Sequence, residues 1–204
     1  MSGTMNALWA WDATQLHILG QGLDEARLRA GHHAACRRGC FGCCLGPFPI
    51  TALDALRLQR GLASLALSQP DLARRLASRA AEAWTALAPH FPGNPATGLL
   101  HPAAGHTLFS VALQMLPCPA LDLESGACDL YHHRPVACRT FGLAVRHAGV
   151  DLEPCRLNYS TLRRDQWESL RVSLPSPTPS PAPLPPGATV VAAALALPMP
   201  PSAA

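Results

Sequence analysis

The sequence predicts a mainly α fold, a small helical domain with one short β-hairpin, and three observations lead there. Apolar residues recur at helical spacing in separate stretches, and one alternating segment is interrupted by the turn residues Glu124-Ser125-Gly126. The chain is 49 % hydrophobic but only 5 % aromatic, so its core must be assembled from alanine, leucine and valine. In the first stretch Leu16, Leu19, Leu23 and Ala26 follow the acidic Asp12, which predicts an amphipathic helix over about residues 12–35. Gly20, Gly22 and Gly31 are weak helix formers inside it. A second helix starts at Thr51, whose hydroxyl is placed to cap the amide of Asp54, and runs through Leu53, Leu56 and Leu58 to Gly61.

The third helix has the clearest signals. Pro70 suits a first helical turn, Asp71 complements the helix dipole there, and Leu72, Leu76, Ala80, Ala83 and Leu87 form one face before Pro89 stops it. Residues 91–105 carry little periodicity and predict a loop, and residues 108–116 a helical or extended segment. The segments from Ala120 and from Cys128 to Tyr131 predict the two strands of the hairpin, and Leu162 to Leu170, with Trp167, a last amphipathic helix. From Ser173 onward the composition changes. Ten of the 21 prolines lie between Pro175 and Pro201. Proline removes backbone donors and locks φ, so the expected organisation is a folded domain over residues 1–172 and a disordered Pro/Ala/Ser-rich tail over residues 173–204.

Composition also narrows the function classes. The formal net charge is +3, all 16 basic residues are arginine, and they form no basic run of the kind a phosphate-binding surface needs, so no nucleic-acid partner is expected. Val190 to Leu197 is the longest apolar run, far short of the roughly 20 residues that span a bilayer, so no membrane partner is expected either. Met1 to Gln21 lacks the basic start and continuous apolar stretch of a secretory signal. A cytoplasmic location follows as the expectation. Thiols stay reduced there, and clustered cysteines more often hold metal than form disulfides; in a secreted chain the same eight cysteines would read as a disulfide framework.

The cysteines are the outstanding feature. Cys36, Cys40, Cys43 and Cys44 fall within one short segment, and Cys118, Cys128, Cys138 and Cys155 follow. Thiolates a few residues apart converge on one ion at little loop-closure cost, and remote ligands then lock the fold around it. All eight are therefore candidate metal ligands, and the fold is expected to be organised around a cysteine metal site. On a helix, positions 36, 40, 43 and 44 would share one stripe, although Cys43 and Cys44 would point about 100° apart. The Cys36, Cys40, Cys43 spacing also occurs in radical S-adenosylmethionine enzymes, but Gly42 stands where those carry an aromatic, and the chain is too short and too helical for their barrel. Arg37, Arg38, Arg134, Arg139 and Arg156 adjoin the cysteines; guanidinium groups there would offset thiolate charge. The pairs His32–His33 and His132–His133 flank cysteines but are not needed as ligands beside eight thiols. Phe41, Tyr131 and Phe141 are expected to pack around the cluster. No nucleophilic triad, phosphate cradle or dinucleotide-binding turn is present, so no catalytic residue is singled out.

These residues carry a resemblance. The series Cys36, Cys40, Cys43-Cys44, then Cys118-Pro119-Ala120-Leu121-Asp122, then Tyr131 to Gly142 with Arg134-Pro135 and Cys138-Arg139, then Glu153-Pro154-Cys155, resembles the YkgJ-type cysteine-cluster family. It departs from the family's CxxCxxCC spacing in its first gap, which is three residues long. The resemblance implies a zinc- or iron-chelating domain with eight cysteine ligands and, as cofactor, zinc, iron or a four-iron four-sulfur cluster, in a structural, storage or delivery role. Flagellin lysine N-methylase is similar in its cysteine pattern, so the resemblance also implies an alternative, an S-adenosylmethionine-dependent protein lysine N-methylase.

Overall fold

The computed structural model describes residues 3–37, 39–102, 111–184 and 186–198. Along the chain its elements are α1 (Gly3–Ala30), β1 (Ile50–Thr51), α2 (Ala52–Ser68), α3 (Pro70–Leu87), β2 (Gly93–Asn94) and β3 (Leu99–Leu100). They continue with β4 (Leu121–Asp122), β5 (Ala127–Cys128), α4 (Val136–Thr140), β6 (Val145–His147), β7 (Val150–Leu152), α5 (Arg164–Ser169), β8 (Val172–Ser173), β9 (Ala188–Thr189) and α6 (Val191–Ala196). Helices dominate and every strand is two or three residues long, so the mainly α class holds. The described residues divide into two units, one from the stretches 1–37 and 139–183, the other from 38–138 and 184–204. No helix among them is long and apolar enough to cross a membrane.

In the larger unit α2 starts where its cap predicts. The Thr51 hydroxyl accepts the Asp54 amide at 3.1 Å, and the Asp54 carboxylate accepts the Thr51 amide at 3.2 Å, a reciprocal pair that satisfies donors left open by the first helical turn. Pro70 opens α3 at a position where its missing N–H costs no hydrogen bond. The buried face of α3 is Ala73, Leu76, Ala80, Ala83, Trp84 and Leu87. Against α2 and α3 lies α6, of which Val191, Ala192, Ala193, Ala194 and Leu195 are all buried. Gln59 of α2 donates to the carbonyls of Ala194 at 3.0 Å and Leu197 at 2.9 Å, covering acceptors that no amide inside α6 reaches. Just before α6, β9 pairs antiparallel with β1, Ile50 opposite Thr189.

The expectation of a structureless tail fails here. Residues 175–184 carry neither helix nor strand, as their prolines require. The run from Val190 is proline-free until Pro198 and wholly apolar. Too short for a bilayer, it is the right length for a helix that fills a core of small side chains.

The smaller unit holds α1, which ends at Gly31, where φ is +52°, a left-handed residue that commonly closes a helix. The helix begins well before the predicted residue 12, because Leu8 extends its buried face of Leu19, Leu23, Ala26 and Ala30 toward the N-terminus. A three-stranded sheet has the order β7-β6-β8, with β6 and β7 antiparallel and β8 parallel to β6. Ala148 and Gly149 join β6 to β7 with φ of +49° and +79°, the backbone that a two-residue hairpin demands. The helix α5 falls inside the predicted stretch 162–170.

The single predicted hairpin is β4–β5, with Leu121 opposite Cys128 and Asp122 opposite Ala127. Two further hairpins, β2–β3 and β6–β7, accompany it among the described residues. Strands of two or three residues leave too little alternation for a periodicity argument to see them. Within the segment 108–116, Val111–Met115 is a 3-10 helix, and its first residues lie outside the described ones, as do 103–105 of the predicted loop.

If α6 is a core element, ending the chain at Pro183 should abolish cooperative thermal unfolding of the larger unit. Leu195→Ala should cost about 2–5 kcal/mol by denaturant titration, the usual range for a buried leucine. Unchanged unfolding in both variants would return residues 188–196 to the status of a tail.

Candidate metal centre

Cys40, Cys43, Cys44, Cys118, Cys128 and Cys138 belong to the larger unit, and Cys36 and Cys155 to the smaller. In the larger unit Gly42–Cys44 is a 3-10 turn rather than part of a long helix. The helical stripe expected for positions 36–44 is absent because residues 34–37 are irregular and Gly39 sits at φ +87°, where a right-handed helix cannot continue. Beyond the turn, the Cys118 amide donates to the Cys44 carbonyl at 2.7 Å and the Gly46 amide to the Leu116 carbonyl at 2.9 Å. This antiparallel pairing sets Cys44 beside Cys118. The tip of the β4–β5 hairpin closes on the same region: a Cβ on Gly126, itself at φ +64°, would lie 2.9 Å from the Gly39 Cα.

Cys118 and Cys128 stand at the base of that hairpin and pack against the core cluster that includes Leu58, Leu76, Ala80, Ala120, Leu130 and Ala194. Nearby backbone N–H groups temper the effect of burial on these thiols, those of Ala120 and Leu121 favouring the charged form of Cys118 and that of Leu130 the charged form of Cys128; the Leu121 amide itself donates to the Cys118 carbonyl at 2.9 Å. Amide donors of this kind favour a charged, ligating sulfur. Arg79 of α3 braces both cysteines, donating to the Pro119 carbonyl at 2.9 Å and pairing with Asp129.

Cys138 lies on α4, and the position of α4 is set from α2. Asp54, which caps α2, also accepts the Val136 amide at 3.0 Å and is ion-paired with Arg57, both side chains being almost fully buried. One carboxylate thereby holds two helix starts.

The thiols of this unit lie close enough to feel one another. A hydrogen bond with the Cys44 thiol, then burial, then the charge of Cys44 push Cys43 far up. Burial pushes Cys118 up to about 12, with Cys128 adding to it, and burial likewise raises Cys128 and Cys138. Arg134 works in the opposite sense on Cys43, Cys128 and Cys138, and Arg79 on Cys118. These four thiols are therefore protonated at neutral pH when alone. A cation that takes them as ligands must displace their protons.

In the smaller unit Cys36 and Cys155 meet around Gly142. The Cys155 amide donates to the Gly142 carbonyl at 3.2 Å, and a Cβ on Gly142 would lie 3.3 Å from the Cys36 sulfur and 3.9 Å from the Cys155 Cβ. Asn158 borders the same point, its Nδ2 3.3 Å from the Cys36 sulfur.

The eight predicted ligands thus fall into two sets, six and two. None is joined in a disulfide. Among the described residues no group of three or more His, Cys, Asp or Glu side chains is arranged to hold a metal ion, so the expected fold built around a closed ligand shell is not realised in that form. Phe41 packs near Gly126, but Tyr131 and Phe141 are half exposed and do not shield the cluster as expected. Tyr131 instead carries the Arg134 guanidinium 3.7 Å over its ring. The ring of His133 rests against Gly61 of α2, where a Cβ would come within 2.5 Å of it. Beside Cys118 a cavity of about 20 Å³, lined by Pro47, Phe48, Leu87, Pro117 and Val191 among others, has room for about one water. Asp54, Arg79 and Asn158 were not singled out as site residues. Asp54 was legible only as a helix cap, and Asn158 only by its place three residues after Cys155.

A mainly helical chain whose free thiols gather at hairpin and turn backbones is a cysteine-cluster protein. More closely, the chain belongs to the family described as "CxxCxxCC: Putative zinc- or iron-chelating domain", whose model matches residues 35–156, a span that contains all eight cysteines. No curated protein and no solved structure matches the chain.

Replacing Asp54 by alanine removes the acceptor of two helix starts and leaves Arg57 buried without its carboxylate, so a stability loss of about 3–5 kcal/mol is expected in urea titrations. Asp54→Asn, which keeps an acceptor, should lose less. Equal stability of Asp54→Ala and wild type would show that α4 and Cys138 are held by other contacts.

Proposed function

We propose that this chain binds zinc or iron, as single ions or as an iron–sulfur cluster, through its cysteine thiolates, in a structural, storage or delivery role. Membership of a chelating family supplies the metal class. The observation that carries the reading to particular residues is the gathering of thiols in the larger unit: Cys118 and Cys128 pack on one core cluster, and the Cys118 amide donates to the Cys44 carbonyl at 2.7 Å. These thiols bear charge once a cation replaces their protons. Cys43, Cys44 and Cys138, close by in the same unit, complete a soft donor set with Cys40, and Cys36 and Cys155 are the remaining candidate ligands. When bound, the metal supplies positive charge and a cross-link between distant parts of the chain. The residues of the chain hold it, with Arg79 and Arg134 offsetting surplus thiolate charge and Asp54 fixing the helix that presents Cys138.

Protein purified anaerobically without a metal-binding tag is expected to contain zinc or iron by elemental analysis. Brown colour with acid-labile sulfide would identify a cluster, and a colourless zinc protein a thiolate site. Cys43→Ser and Cys138→Ser should each lose most of the metal. Metal content equal to wild type in both variants, or no metal in wild type, would overturn the proposal.

A further inference from the structure

Asn158 is 3 % exposed, and its amide makes a full set of contacts inside the smaller unit. Its backbone N–H donates to the Cys155 carbonyl at 2.8 Å. Its Oδ1 accepts the Ala35 amide at 2.8 Å, and its Nδ2 donates to the Gly142 carbonyl. These partners fix which way the amide points, since a backbone N–H can only donate and a carbonyl can only accept. The amide therefore turns an N–H donor toward the Cys36 sulfur at 3.3 Å, and the Cys36 thiol can donate to Oδ1 at 3.6 Å. The contact from Nδ2 strengthens when the sulfur is a thiolate, because a charged acceptor makes the stronger hydrogen bond. Gly142, at φ +102°, leaves the space that the contact needs, because a Cβ there would press on both Nδ2 and the Cys36 sulfur at 3.3 Å. The family spacing is CxxCxxCC, but three residues separate Cys36 from Cys40 here, so sequence spacing alone does not set the direction of Cys36.

We infer that Asn158 is the positioning residue for Cys36, orienting its sulfur and donating to it in the thiolate form that ligates metal. The inference rests on the metal-binding reading above. It assigns Asn158 no contact with the metal.

The test uses the full chain loaded with zinc, alkylated with iodoacetamide and mapped by mass spectrometry, comparing wild type with Asn158→Asp. That variant keeps the oxygen facing Ala35 but puts a carboxylate oxygen where the N–H faced Cys36. Wild type is expected to protect Cys36. Asn158→Asp is expected to bind zinc about 10–100-fold more weakly, the usual cost of losing a group that orients a ligand. Its Cys36 should react as fast as in metal-free protein while Cys43 and Cys138 stay protected. A purely structural role would lower the melting temperature and leave the protection pattern unchanged, and that result overturns the inference. So does a Cys36 that reacts freely in zinc-loaded wild type. If wild type binds no zinc or iron at all, the metal reading falls and this inference with it. Should Asn158→Asp fail to fold, Asn158→Ser, uncharged and too short to reach both Gly142 and Cys36, carries the same comparison.

Discussion

Packing of half-buried thiols against a core of small side chains is the constraint from which the rest of this protein follows. Cys118 and Cys128 pack on the cluster formed by α2, α3 and α6, so their sulfurs are desolvated, and desolvation disfavours the charged form. The surrounding groups work against that penalty: backbone amides beyond each cysteine, Arg79 braced between Pro119 and Asp129, and Arg134 near three of the thiols. An apolar residue would fill the same space without such donors. Their presence is what separates these cysteines from ordinary buried cysteines, which behave as small hydrophobes.

Holding the thiols together falls to a few long-range backbone and carboxylate contacts rather than to a continuous helix. Cys44 is joined to Cys118 by a main-chain hydrogen bond, and Cys138 is tied to the start of α2 through Asp54. The hairpin turn at Gly126 presses on Gly39. The Asp54 contact depends on α2 being seated, and α2 packs on α3 and on the C-terminal α6. A segment distant in sequence from every cysteine thus supports the cysteine-bearing loops, because an alanine-rich interior has little apolar area to spare.

Local chemistry was legible in the sequence and tertiary grouping was not. Thr51 with Asp54, and Pro70 with Asp71, announce helix starts because capping is decided within one turn. Glu124-Ser125-Gly126 announces the hairpin for the same reason. The stripe drawn through positions 36–44 was wrong because Gly39 and Gly42 allow the chain to leave the helix, and pattern matching carries no cost for that. The C-terminal helix was hidden by the prolines on either side of it, whose count outweighed a short apolar run. All eight cysteines could be named, but their partition into six and two depends on which stretches of chain pack together, which no local rule reports. Asn158 escaped notice because a single asparagine acquires meaning only when Ala35, Gly142 and Cys36 are brought around it.

X-ray absorption at the metal edge of the anaerobically isolated full chain tests the central claim most directly, because it reads the atoms bound to the metal. Thiolate ligation predicts a shell of sulfur neighbours, at about 2.3 Å if the metal is zinc. A shell of nitrogen and oxygen alone would contradict the account, since it would leave the gathered thiols without the ion that the account assigns to them.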